Sequence, residues 1–97
     1  MSSSSIKVSE IPAGQGVTAE IQGRPVAVYS SGEELVVLEN VCTHMGCETG
    51  WNTFEQTWDC PCHGSRYHAN GAVLRGPAQA PLPRLEHRIE NGEIVLD

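Results

Sequence analysis

The sequence has no apolar run that approaches the roughly 20 residues a membrane-spanning helix needs, so no membrane-spanning segment is expected. Its N-terminus, Met1-Ser2-Ser3-Ser4-Ser5-Ile6-Lys7, has no apolar core that could act as an export signal, which makes the expected location cytoplasmic. No stretch of about ten residues holds a helical period, and no internal repeat is visible. A dinucleotide fingerprint and a nucleophile–base pair are also missing, so substrate chemistry by this chain alone is not expected. Basic residues are few: 6 Lys+Arg against 12 Asp+Glu give a formal charge of −6. Such a surface repels phosphates and argues against a nucleic-acid partner. At 97 residues the chain has room for one domain with a modest core, of a size that gains from covalent or metal staples.

What is present is short and alternating. Ile6-Lys7-Val8 reads as a brief strand, Val17–Gln22 alternates with period two, and Gly23-Arg24-Pro25 turns the chain into Val26–Tyr29. Ser30–Glu33 makes another turn into Leu35–Glu39, and Gly50-Trp51-Asn52 and Thr57-Trp58-Asp59 flank a turn around Phe54. Arg66-Tyr67-His68, the Asn70-Gly71 turn and Ala72-Val73-Leu74 form a hairpin; Leu85–Glu90, Asn91-Gly92 and Glu93–Leu96 form another. Residues 76–83 are too proline-rich to pair as a central strand. Short strands at close spacing with turn signals predict an all-β, antiparallel sandwich or barrel. Trp51 and Trp58 are candidates to pack beneath a site and exclude water, or to be ordinary core aromatics. His68 and His87 read as exposed strand histidines.

All four cysteines and two of the four histidines lie between Cys42 and His63. They stand in two loops, Cys42-Thr43-His44-Met45-Gly46-Cys47 and Cys60-Pro61-Cys62-His63-Gly64-Ser65-Arg66-Tyr67. Clustered Cys and His mean metal, disulfide or both. Two thiolates and two imidazoles suit tetrahedral zinc, although zinc sites favour Cys-x2-4-Cys and His-x3-5-His pairs over a Cys-x-His hook. All four cysteines in structural disulfides would need an oxidising compartment.

Cys-Thr-His-x-Gly-Cys followed by Cys-Pro-Cys-His-Gly-Ser resembles the two cluster-binding loops of a Rieske iron–sulfur protein. The resemblance implies that Cys42 and Cys60 hold one iron of a [2Fe–2S] cluster while His44 and His63 hold the other. It pairs Cys47 with Cys62 in the disulfide of the high-potential branch, and makes Ser65 and Tyr67 hydroxyl donors to sulfur. The implied fold is a β-sandwich or barrel base, residues 6–40 and 75–97, with a small cluster-binding subdomain, about 41–74, inserted into it. Residues 76–83 would cover the cluster from a third side, and Met45, at the tip of the first loop, would meet a partner.

The function so implied is one-electron transfer. Replacing two thiolates by neutral imidazoles removes negative charge, so the reduced state is less penalised. The outer ring nitrogen of each histidine ligand can carry a proton, which couples electron and proton transfer. The implied partner is a redox protein or fused oxidoreductase domain, because the second loop and its flanks resemble Rieske domains at the C-terminus of bacterial flavin-dependent oxidoreductases. The alternatives are the head of a quinol-oxidising Rieske subunit of a cytochrome bc complex, a Rieske ferredoxin serving an oxygenase, and a structural zinc module.

Overall fold

A computed structural model describes residues 6–41, 47–62 and 64–97. The regular elements there are nine short strands and one 3-10 turn, Val8–Glu10. The first sheet is antiparallel, in the order β1 (Gln15–Ile21), β2 (Arg24–Ser30), β3 (Leu35–Glu39). The second runs β4 (Gly50–Asn52), β5 (Thr57–Asp59), β6 (Arg66–His68), β7 (Val73–Arg75). The third is the hairpin of β8 (His87–Glu90) and β9 (Glu93–Leu96), to which Ile6 adds by accepting the Ile94 N–H at 3.0 Å.

The first sheet is the middle layer, and its sequence shows why. Val26-Ala27-Val28 and Val36-Val37-Leu38 are unbroken apolar runs, as a strand covered on both faces requires. Val26, Val28 and Val37 face one core with Ile6, Ile11, Ile94 and Leu96. Ala27, Val36 and Leu38 face another with Trp58, Cys60, Tyr67, Ala78 and Leu82. The second core carries the loops of interest. The first ties both ends of the chain together.

Three expected details differ. Ile6-Lys7-Val8 is not a strand: Lys7 makes a lone bridge to Glu93, and the chain then coils through Val8–Glu10. That coil delivers Ile11 into the first core, where it is buried. The first hairpin turns at Gln22-Gly23, one residue early, with Gln22 at φ 54°; Arg24 and Pro25 already belong to β2. Pro25 is tolerated because it lies just outside the β2–β3 register, which begins at Val26, and its carbonyl still accepts the Asn40 N–H at 3.0 Å, a bond that needs no N–H from proline. His87 is half-buried rather than exposed, with Nδ1 3.4 Å from the Leu85 carbonyl oxygen, whereas His68 is exposed as expected.

The middle layer and the second sheet meet at Gly16. Trp51 and Trp58 pair across β4 and β5 with ring centroids 4.8 Å apart, and Tyr29 lies 5.4 Å from Trp51. A β-carbon on Gly16 would stand 2.7 Å from Trp51 and 2.8 Å from Trp58. The indoles are therefore packed directly on the β1 backbone. Gly16→Ala is expected to cost about 1–3 kcal/mol, as overpacking does, and so to lower the midpoint of thermal unfolding by several degrees. A variant as stable as the parent would mean that this contact yields freely.

Candidate metal centre

The second loop is built by backbone bonds. As β5 ends, the Cys60 N–H donates to the Ser65 carbonyl at 2.8 Å and the Gly64 N–H donates to the Cys60 carbonyl at 3.1 Å. The chain thus reverses within six residues, and Gly64, at φ 82°, sits where a side chain would be strained. Cys60 and Ser65 are buried at 2% and 0% exposure, while Pro61, Cys62 and Gly64 are exposed. One end of the loop therefore plugs into the core and the other faces outward.

Ser65 is held by a further contact. Its Oγ accepts the N–H of Ala78 at 3.1 Å, from the proline-rich segment. That acceptor role leaves the hydroxyl hydrogen to donate. Ala78 and Leu82 are buried in the same core as Cys60, and the Leu82 N–H donates to the Gly71 carbonyl at 2.9 Å. The segment is thus anchored beside the second loop. Tyr67 is fully buried opposite Trp58, whose Nε1 donates to the Ala69 carbonyl at 3.2 Å.

The two loops are joined by a disulfide between Cys47 and Cys62, 15 residues apart, with Cα atoms 6.6 Å apart. Alkylation of cluster-free protein is expected to label two cysteines before reduction and four after. Four labelled beforehand would contradict the bridge. Of the expected ligands, Cys60 is among the described residues; Cys42, His44 and His63 lie outside them, as does Met45.

A clasp at the neck of the first loop was not anticipated. Asn40 and Thr49, 1% and 5% exposed, close it from either side. Asn40 Oδ1 accepts from the Thr49 N–H at 2.8 Å and from Thr49 Oγ1 at 2.7 Å, while its Nδ2 donates to the Thr49 carbonyl at 3.3 Å. In sequence, Asn40 looks like the polar end of an apolar strand. Its only signal is its position just before the cysteine loop.

Two charges frame the second sheet. Arg66 Nε lies 3.5 Å from Asp59 Oδ1, its cross-strand neighbour, and Asp59 also accepts from Asn52 Nδ2 at 2.9 Å and Thr57 Oγ1 at 2.7 Å. This half-exposed network fixes β5 just before Cys60. The described donors fit a buried sulfur-bearing group: a core-facing thiol, and a buried hydroxyl with its hydrogen available, on loops stapled together.

Comparison with known proteins agrees. The family model of the Rieske [2Fe–2S] domain matches residues 3–86. The chain belongs to the Rieske family. A Rieske domain binds a [2Fe–2S] cluster and serves electron transfer, and the Cys47–Cys62 bridge accords with the high-potential type. Among similar proteins is "Putative Rieske 2Fe-2S iron-sulfur protein YhfW" of Bacillus subtilis, 40% identical over 82 residues, which are 84% of this chain and 16% of that protein. The cytochrome b6-f complex iron–sulfur subunit of Chlorobaculum thiosulfatiphilum is 34% identical over 90 residues, 93% of this chain and 50% of the subunit. This Rieske chain thus spans half or less of either relative. Among solved structures, the plasma membrane Rieske protein PetC3 of Synechocystis PCC 6803 superposes with a TM-score of 0.79 at 27% identity, covering 94% of each chain. No helix among the described residues is long and apolar enough to cross a membrane.

Proposed function

We propose that this Rieske chain relays single electrons for a partner oxidoreductase through a cluster held by Cys42, His44, Cys60 and His63. The cluster supplies a one-electron couple whose potential exceeds that of a four-cysteine ferredoxin. The chain's part is to hold, insulate and tune it. The observation that carries this reading is the pairing of the loops: the Cys47–Cys62 bridge brings the first loop to the second, where Cys60 is buried. Ser65 and Tyr67 are the proposed donors to cluster sulfur, and Met45 the proposed partner contact. We take residues 41–74 as the cluster-carrying part and residues 6–40 and 75–97 as its base, together one Rieske unit.

The partner we favour is flavin-dependent, on the resemblance of the second loop and its flanks to domains of such oxidoreductases. A 40% identical relative of which the matched residues form only 16% supports a place within a larger protein, not the flavin itself. A second reading is the head of a quinol-oxidising complex, favoured by the 34% identity to a cytochrome b6-f iron–sulfur subunit. A cytoplasmic location requires the disulfide to resist cellular thiols. Cys47 is half-buried but Cys62 is exposed, so protection is one-sided. Cell fractionation tests the location.

Protein purified without added metal is expected to contain two irons and two acid-labile sulfides per chain, and to be red-brown. Replacing any of the four ligands should abolish both. One zinc without sulfide, or full cluster content in Cys60→Ser, would end this reading.

A further inference from the structure

Three sulfurs meet where the loops join. The Sγ atoms of Cys47, Cys60 and Cys62 all lie within 4.8 Å of one another. Cys47 and Cys60 pack against the same apolar core, whereas Cys62 is exposed. A cysteine sulfur beside a disulfide is the arrangement for exchange, whose outcome depends on which sulfur is attacked and on how well the leaving sulfur is accommodated. Here the exposed Cys62 is the sulfur better placed to leave.

We propose that Cys60 exchanges with the Cys47–Cys62 disulfide whenever the chain is without its cluster, producing a Cys47–Cys60 bridge. Cys60 Sγ, as the thiolate, attacks Cys47 Sγ. The Cys60–Cys47 bond forms and the Cys47–Cys62 bond breaks. Cys62 departs with the electron pair as a thiolate and takes up a proton from water. One disulfide is consumed and one is made, so no oxidant or reductant is needed.

Attack at the other sulfur is disfavoured for two reasons. It would expel Cys47, which is half-buried and poorly placed to shed charge into water. It would also close a bridge from Cys60 to Cys62 across the single residue Pro61, whose ring fixes the backbone between them. The Cys47–Cys60 bridge instead retains a link between the two loops and lies against the core. This consequence rests on the ligand assignment above: with Cys60 locked in a bridge, the exchanged chain lacks one of four donors. The pair of loops would thus have a cluster-competent and a cluster-refusing cross-link, and the cluster itself, by occupying Cys60, would hold the competent one.

Peptide mapping without reduction tests this. Cluster-replete protein and protein stripped by a chelator are held at about pH 8. Samples are then alkylated at intervals and digested. Replete protein should show only the Cys47–Cys62 peptide. Stripped protein should accumulate the Cys47–Cys60 peptide and label Cys62 at least about tenfold more, at a rate independent of protein concentration. Stripped Cys60→Ser should keep Cys62 unlabelled. Cys47–Cys62 as the sole bridge in stripped wild-type protein after many hours would overturn the proposal. Bridges through Cys42, or disulfide-linked dimers, in its place would do the same. The wild-type map needs no variant to fold. The ligand assignment fails separately, if Cys60→Ser retains iron and sulfide.

Discussion

Asn40→Leu is expected to destabilise the protein by about 2–4 kcal/mol and to lower its cluster content with it. Asn40 Oδ1 is the acceptor for both the N–H and the hydroxyl of Thr49, and both residues are almost fully buried. Leucine keeps the volume but removes that acceptor, and each buried donor left unsatisfied costs about 1–3 kcal/mol. At this chain length 1 kcal/mol shifts a melting midpoint by roughly 4–8 °C, so the effect is readily measured by thermal or denaturant unfolding. The functional consequence follows from position. Asn40 and Thr49 stand on either side of the stretch that contains Cys42 and His44, so the clasp fixes the neck of the loop that presents them. Adding Thr49→Val removes the orphaned hydroxyl and should recover part of the loss, though not the share due to the backbone N–H. An Asn40→Leu protein within 0.5 kcal/mol of the parent, with full iron content, would show that the clasp is dispensable.

The clasp also marks where sequence and structure part company. The strands were legible because apolar alternation, turn residues and the two Asn-Gly steps are local signals, and β3, β4, β5, β6 and β9 fall where those signals place them. The Cys47–Cys62 bridge could be expected because a motif spanning both loops resembles that of a known family. The ends of the chain were less legible. Ile6-Lys7-Val8 has strand chemistry, but after Val8 donates to the Gly92 carbonyl the chain must coil to bury Ile11. No local pattern encodes that demand. Gln22-Gly23 was displaced by one residue because Pro25 attracts a turn assignment, whereas its place beyond the end of β3 makes it harmless in β2. The Asn40–Thr49 clasp was invisible because two polar residues nine apart carry no signal until the intervening loop brings them together.

The site divides in the same way. Cys60, Ser65 and Tyr67 were marked by the second motif, and all three are buried within one core region. The anchoring of Ser65 by Ala78 depends on a backbone N–H from a segment 13 residues away, and side-chain identity says nothing about it. The tryptophans show the limit of composition. Either role suggested for them is compatible with Trp58 being fully buried next to Cys60, but their packing on Gly16 is a long-range fact that only the fold reveals.

Ser65→Ala and Tyr67→Phe are each expected to lower the midpoint potential by an amount on the order of 50 mV. A hydroxyl that donates to cluster sulfur stabilises the reduced state more, because that state carries the extra negative charge. A difference of about 1–1.5 kcal/mol, typical of one hydrogen bond, corresponds to that shift for a single electron. Ser65 is placed for such donation: its oxygen already accepts the Ala78 N–H, so its hydrogen is directed elsewhere. The same contact gives Ser65→Ala a second effect, since it strands the buried Ala78 N–H at a cost of about 1–3 kcal/mol and loosens the proline-rich segment. Tyr67→Phe keeps the ring in the core and should cost less stability. The pair therefore separates tuning from packing. If both hydroxyls tune the cluster, both variants shift the potential, the double variant shifts it further, and only Ser65→Ala unfolds markedly earlier. If the two residues serve packing alone, Ser65→Ala still loses stability, but cluster-replete protein of either variant keeps the parent potential in film voltammetry. An unchanged or raised midpoint in both would refute the tuning role.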